Sequence, residues 1–293
     1  MPLITVEMKV QVLLCSKHLI LSKIYFMKMK KFKATSPGLR HKFIIMKNLL
    51  CNEGIPIKGL SRFIGNSFGR STQTGRITSW HRGGGVKRKF RFLNNSKSRG
   101  FFISLGVFFD PNRSSFISLT FNILKKKFDF SMTPFYSSKG LCVINSSKLE
   151  EIWLGCRTQL SNIPQGSMIY NVGKNFHYLG SFGRAAGTYC QIIVKNDEQN
   201  FAVLRLPSGN LFRVSLKYFG NIGSVSNIDH GLSILGNAGT KRLKGRRPIV
   251  RGIAMNPVDH PHGGRTNGGR ISVSPWGKPA KNFAKKKIKC VYV

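Results

Sequence analysis

The 293-residue sequence predicts an all-β protein of small antiparallel barrels, with long, irregular, basic extensions at both ends. Three observations predict this class. Short β-rich runs recur through the middle of the chain, turn-forming residues separate them, and positive charge is concentrated outside them. Residues 110–229 hold 13 basic and 7 acidic residues, a net charge of +6 out of +38 for the whole chain. The charge therefore lies mainly on segments that flank a nearly neutral folded body.

Two hairpins define that body. The first joins residues 101–109 to residues 116–121 through an Asp-Pro-Asn-Arg turn, in which Asp at the first position and Pro at the second suit type I geometry. The second joins residues 201–206 to residues 211–216 through a Pro-Ser-Gly-Asn turn. Polar and apolar residues alternate in both of its runs, which is typical of half-buried strands.

Other segments are assigned by the same signals. Apolar runs at residues 141–144 and 167–172 are bounded by Gly, Asn, Pro or Ser and predict two more strands, and residues 191–194 supply another. The acidic pair at residues 150–151 suggests a short helical turn beside an Ile-Trp-Leu run. Residues 230–293 contain 10 Gly and 5 Pro with almost no apolar periodicity, so we predict that they are irregular.

Charge restricts the function. The chain holds 48 Lys and Arg against 10 Asp and Glu, and self-repulsion on that scale argues against an ordinary free enzyme and favours a polyanion partner. The apolar stretch at residues 10–26 is interrupted by Lys17, His18 and Lys23, so we predict no membrane span. The six cysteines form no CxxC pair and none lies beside a His at zinc-finger spacing, so we predict no metal site.

A first basic motif surrounds three consecutive glycines. Free N–H groups of such a loop can donate to phosphate oxygens, the neighbouring cations supply charge, and aromatic rings can stack on an unpaired base. Neither the GxxxxGK[ST] nor the GxGxxG pattern is present, so a nucleotide-binding loop is disfavoured. The candidate RNA-binding residues here are Arg70, Arg76, Trp80, His81, Arg82, Gly83, Gly84, Gly85, Lys87, Arg88 and Arg91.

Two further motifs lie in the C-terminal segment. Six cations within residues 241–251 suit phosphate contacts, and Trp276 between Pro and Gly can stack on RNA or wedge into it. His260 and His262 straddle a proline and lack the i, i+4 spacing of a helical metal pair, so they either contact RNA or stabilise a local turn. The candidate RNA-binding residues here are Lys241, Arg242, Lys244, Arg246, Arg247, Arg251, Asn256, His260, His262, Arg265, Arg270, Trp276 and Lys278.

These motifs resemble one known family. The segments at residues 75–91, 251–265 and 274–279 read GRITSWHRGGGVKRKFR, RGIAMNPVDHPHGGR and SPWGKP, and they are similar to the L-two family of large-subunit ribosomal proteins. The resemblance implies an OB-like barrel, here residues 61–140, followed by an SH3-like barrel, here residues 141–225. On the same basis, residues 1–60 form a basic extension and residues 226–293 form an extension that penetrates rRNA.

The resemblance also implies a function. The family binds large-subunit rRNA near the peptidyl transferase centre, which its histidine loop approaches, and supports subunit association. We therefore expect three partners: large-subunit rRNA, neighbouring ribosomal proteins, and the small subunit through an intersubunit bridge. We expect no catalytic residue, no homo-oligomer, no membrane partner and no cofactor, although structural Mg²⁺ of the rRNA would lie nearby.

The sequence departs from the family at several points, three of which lie in the basic motifs. Trp80 stands where the family commonly has Arg, and Val86 where it commonly has His. The loop after His262 is three residues shorter and lacks a Glu, so we expect its path to differ. The sequence of the C-terminal motif and the Phe-, Ile-, Asn- and Lys-rich composition favour localisation in the mitochondrion, with a plastid or the bacterial cytoplasm as alternatives.

The sequence is also compatible with two other functions. The β-rich body and Trp80 are compatible with a non-ribosomal OB-type binder of single-stranded nucleic acid, although that task does not need long basic arms. The pairing of His260 with His262 is compatible with an enzymatic function, although no nucleophile lies near them in the sequence.

Overall fold

The computed structural model describes residues 29–47, 50–51, 59–64, 68–94, 100–137, 139–146, 153–173, 180–265 and 271–280. These residues fall into two compact units. The first unit takes the described residues up to Ile64 and from Lys87 to Gly236. The second unit takes the described residues of 65–86 and 237–290. The second unit therefore combines two segments that lie far apart in the sequence.

Strands dominate the first unit, and the predicted all-β class is confirmed. The described strands, β1 to β14, are Met29–Lys31, Phe43–Ile45, Ser61–Ile64, Arg88–Arg91, Gly100–Phe108, Ile117–Asn122, Lys127–Met132, Cys142–Asn145, Arg157–Gln159, Met168–Tyr170, Cys190–Asn196, Phe201–Arg205, Leu211–Ser215 and Phe219–Ile222. The described helices are α1 (Pro37–Arg40), α2 (Ala238–Leu243) and three single 3₁₀ turns, Leu160–Asn162, Ile228–Leu232 and Gly252–Ala254.

Both predicted hairpins are confirmed. β5 pairs antiparallel with β6, and the turn between them is closed by Arg113 N–H donating to the Asp110 carbonyl at 3.5 Å. β12 pairs antiparallel with β13, and Leu206 N–H donates to the Asn210 carbonyl at 2.9 Å. The predicted strands at residues 141–144, 167–172 and 191–194 correspond to β8, β10 and β11.

One sheet of ten strands runs through the first unit in the order β13-β12-β11-β10-β14-β9-β8-β5-β6-β7. Its N-terminal half (β5 to β8) and its C-terminal half (β9 to β14) meet where β8 and β9 run parallel, with Asn145 opposite Arg157. Each half has its own apolar core. Ile117, Leu119 and Phe130 are buried in the N-terminal half. The larger core of the C-terminal half contains Leu160, Ile163, Ile169, Val172, Cys190, Ile192, Ala202, Leu204, Val214 and Leu216.

A small polar cavity of about 40 Å³ lies where strands of the two halves meet. Arg157 and Tyr170 line it, and both are almost fully buried. Burial lowers the pKa of Arg157 to about 10 and raises the pKa of Tyr170, because desolvation penalises the charged form of each group. Arg157 Nε and Nη2 find no hydrogen-bond partner among the described residues. The sequence contained no signal for this buried cation.

Several details differ from the sequence prediction. Strands β1 to β4, β7, β9 and β14 were not predicted. For β7, the cationic run that leads into it hides its apolar residues. The C-terminal segment is not wholly irregular, since it contains α2 and a 3₁₀ turn. The residues 150–151 proposed for a helical turn lie outside the described residues. In the part of the chain that the structure describes, no helix has both the length and the apolar character needed to cross a membrane.

Candidate nucleic-acid interface

The second unit brings together side chains from all three basic motifs. Its described segments are residues 68–86, 237–265 and 271–280. Of the predicted candidates it contains Arg70, Arg76, Trp80, His81, Arg82, Gly83, Gly84, Gly85, Lys241, Arg242, Lys244, Arg246, Arg247, Arg251, Asn256, His260, His262, Arg265, Trp276 and Lys278. Lys87, Arg88 and Arg91 belong to the first unit, and Arg270 lies outside the described residues.

Positive charge in the second unit has almost no internal compensation. Its described residues include eleven Lys and Arg and one acidic residue, Asp259. All eleven cations are exposed, and within these described segments none is ion-paired with a carboxylate. Such a surface has a strongly positive potential and attracts a polyanion.

The glycine-rich segment packs side by side with the C-terminal segment. Gly83 N–H donates to the Gly245 carbonyl at 3.2 Å, and Val86 N–H donates to the Leu243 carbonyl at 3.1 Å. A Cβ built on Gly85, whose φ is +122°, would lie 2.7 Å from the Leu243 carbonyl oxygen. The glycines therefore let two protein backbones approach closely, which the sequence interpretation did not assign to them. Their proposed contacts with phosphate stay a prediction.

His260 stabilises the loop in which it lies. Its side chain is only 8% exposed, and its Nδ1 accepts a hydrogen bond from the His262 backbone N–H at 3.0 Å. An imidazole that accepts at Nδ1 carries its proton on Nε2 when neutral. A Cβ on Gly252 would lie 2.7 Å from the ring, so Gly252 packs directly against His260. This geometry supports the turn-stabilising alternative for His260, and contact with RNA stays a prediction.

His262 ties the same loop to the segment that precedes Trp276. Its Nε2 lies 3.1 Å from the Ile271 carbonyl oxygen and 3.2 Å from the Val273 backbone nitrogen. One tautomer donates to Ile271 and the other accepts from Val273, so either form makes a cross-link. The described residues contain no group of three His, Cys, Asp or Glu side chains that could hold a metal ion.

Two candidates in the first unit make contacts within the protein. Arg91 Nη1 lies 3.4 Å from Asp110 Oδ1, and Arg113 Nε lies 2.7 Å from Asp110 Oδ2. Arg88 Nη1 donates to the Pro111 carbonyl at 3.4 Å. Arg88 and Arg91 therefore hold the β5–β6 turn against β4, a long-range role that local sequence patterns did not reveal. Lys87 is exposed.

A strand-rich unit with net positive charge, together with a second unit of loops whose described residues include eleven cations and one carboxylate, defines a class of RNA-binding protein. Residues 58–140 match the RNA binding N-terminal domain of Ribosomal Proteins L2, and residues 154–277 match their C-terminal domain. The chain belongs to the ribosomal protein L2 family. The predicted OB-like and SH3-like barrels are thereby confirmed as its two folded domains. The exact domain boundaries given above stay predictions.

Individual relatives agree with this assignment. The chain is 42% identical over 260 residues to the large ribosomal subunit protein uL2m of Reclinomonas americana, covering 86% of this chain and 91% of that protein. It is 39% identical over 261 residues to uL2 of Rhodospirillum centenum, covering 87% and 93%. It is 40% identical over 262 residues to uL2 of Chelativorans sp., covering 87% and 92%. The similarity thus extends over most of the length of each protein.

Proposed function

We propose that the protein is a structural constituent of the large ribosomal subunit and that its second unit is one of the surfaces that bind large-subunit rRNA. The observation that carries this proposal is the set of eleven exposed cations in that unit, which have no carboxylate partner among its described residues. Burying such charges against protein would be costly, whereas RNA phosphates neutralise them with release of counterions. The family assignment supports rRNA as the polyanion.

The position in the ribosome follows from the family resemblance. We propose that the loop held by His260 and His262 approaches the peptidyl transferase centre, and that the protein supports subunit association through a bridge to the small subunit. The internal hydrogen bonds of the two histidines give them a positioning role, in which they fix the loop rather than perform chemistry. We propose no catalytic activity and no cofactor, with Mg²⁺ present as part of the rRNA.

The proposed compartment is the mitochondrion. A mitochondrial protein, uL2m of Reclinomonas americana, is among the similar relatives, and the bacterial uL2 proteins show comparable identity. The Phe- and Lys-rich composition supports an organellar origin, with 22 Phe in the chain. In that compartment the partners are large-subunit rRNA and the neighbouring mitochondrial ribosomal proteins.

Salt dependence tests the RNA-binding role of the second unit. We expect the logarithm of the affinity of the full chain for large-subunit rRNA to fall steeply and linearly with the logarithm of salt concentration. The double variant K241Q/K244Q removes two exposed cations at the end of α2, and each lost phosphate contact should reduce the slope by about 1. Filter binding over a series of salt concentrations measures both the affinity and the slope.

The matched control is R205Q/K217Q, which removes two exposed cations of the first unit that lie outside the basic motifs and outside residues 58–140. We expect its slope to stay close to that of the unchanged protein. An affinity for rRNA that does not respond to salt would contradict the proposal. Equal binding to unrelated single-stranded RNA would instead favour the non-ribosomal single-strand binder.

A further inference from the structure

Two of the three tryptophans of the chain lie together in the second unit. The ring centroids of Trp80 and Trp276 are 5.9 Å apart, and the rings meet edge to face at 73°. Yet Trp80 is 54% exposed and Trp276 is 70% exposed. Large aromatic side chains normally contribute most of their stabilisation by being buried, so an exposed pair is an unusual feature of a folded unit.

A tight turn presents Trp276. Gly277 N–H donates to the Ser274 carbonyl at 2.9 Å, Ser274 N–H donates to the Lys278 carbonyl at 2.7 Å, and Lys278 N–H donates to Ser274 Oγ at 3.1 Å. Pro275 occupies the second position of the turn, and Gly277 has a φ of +77° that suits glycine. Trp276 therefore lies at the tip of a closed turn, where its ring projects without losing backbone hydrogen bonds.

Trp80 lies on a segment that is fixed on both sides. The backbone N–H groups of Thr78 and Ser79 donate to the Gly69 carbonyl at 2.8 and 3.0 Å. On the other side, the His81 carbonyl accepts from Arg247 N–H at 3.0 Å, and His81 Nδ1 lies 3.1 Å from the Pro248 carbonyl oxygen. Neither indole therefore needs a large backbone change to receive a ligand.

The shape and charge of the site indicate its ligand. An edge-to-face pair leaves ring faces open, and a flat aromatic group can stack there. Arg82 and Lys278 flank the two tryptophans in the sequence, in a unit with almost no acidic residue. A flat aromatic ring carried on an anionic chain is the chemistry of a nucleotide that has left its base pair.

We propose that Trp80 and Trp276 together form a stacking site for one unpaired nucleobase of RNA. The proposal rests on the proposed function, because the same RNA must already be held by the surrounding cations. It assigns the two residues a shared site, whereas the sequence indicated only separate contacts. It also assigns a role to Trp80, which stands where the family commonly has Arg.

Leucine substitutions separate stacking from charge. W80L and W276L keep an apolar side chain but remove the π face, and we expect each to weaken binding to large-subunit rRNA by about 5- to 150-fold. Stacking does not release phosphate counterions, so the salt slope should stay unchanged in both variants. W80F, which keeps an aromatic ring, should recover most of the affinity. The control L211A alters an exposed apolar residue of the first unit, 56% exposed, and should bind normally.

Fluorescence gives an independent measurement. In a W153F background the remaining tryptophan emission comes from Trp80 and Trp276. A short oligouridylate should quench that emission, and an abasic ribose–phosphate strand of the same length should not. Equal quenching by the two strands, or unchanged rRNA affinity in W80L and W276L while the salt slope stays steep, would overturn the stacking site alone. Loss of the steep slope in the unchanged protein would instead overturn the proposed function.

Discussion

At the scale of single residues, Asp110 shows how one side chain fixes a long-range contact. Its carboxylate is fully buried, pairs with Arg91 and Arg113, and accepts a hydrogen bond from Asn112 N–H at 3.0 Å. The sequence predicted the Asp for its place in a type I turn. It did not predict the pairing with Arg91, because Arg91 lies on a separate strand, β4. Arg91 was instead interpreted as an RNA contact.

Removing this carboxylate charge should destabilise the first unit. D110N leaves two partly buried guanidinium groups without their counter-charge, and we expect the free energy of unfolding to fall by about 3–5 kcal/mol. The control is D197N, whose carboxylate is 73% exposed and pairs with Lys195, and which should cost less than about 1 kcal/mol. Denaturant unfolding of the full chain measures both values. Equal losses in the two variants would contradict the role given to Asp110.

At the scale of elements, the strands were more predictable than the loops. Apolar runs and turn residues were sufficient to predict β5, β6, β12 and β13, because a hairpin is specified by residues that are close in the sequence. Strand β7 was missed because Lys125–Lys127 and Asp129 obscure its alternation. The short helix α2 was missed because it has no apolar face, and none of its residues is buried.

The second unit depends on the backbone pairing of its glycine-rich segment with residues 243–247. G85A places a Cβ 2.7 Å from the Leu243 carbonyl oxygen at a residue with positive φ. G75A is the control, since Gly75 also has positive φ, +66°, but meets no atom within 4 Å. An Ala can adopt a φ of +66° at modest cost but not one of +122°, so the difference between the two variants reports both the close packing and the backbone conformation of Gly85.

We expect G85A to weaken this pairing markedly more than G75A does. The effect should be visible as faster amide hydrogen exchange at Gly83 and Val86, whose N–H groups donate across the pair. G75A should leave the exchange at these two amides close to that of the unchanged protein. Identical exchange in the two variants would show that the glycines are not required for close packing.

At the scale of the whole molecule, the net charge of +38 is unevenly distributed. The sequence predicted a neutral body and basic flanks from residue counts alone. It did not predict that residues 68–86 join residues 237–265 and 271–280 in one unit, because that association depends on packing between distant segments. The candidate site could therefore be predicted as a set of residues, while the ring contact of Trp80 with Trp276 and the hydrogen bonds of His260 and His262 could not.

The central claim is that this second unit is an rRNA-binding surface of the large ribosomal subunit. Cryo-electron microscopy of large subunits assembled with this chain tests it most directly. We predict that residues 68–86 and 237–265 lie against rRNA, with the exposed Lys and Arg side chains next to phosphates. Large subunits that lack the chain, or that hold it with these residues facing solvent, would contradict the claim.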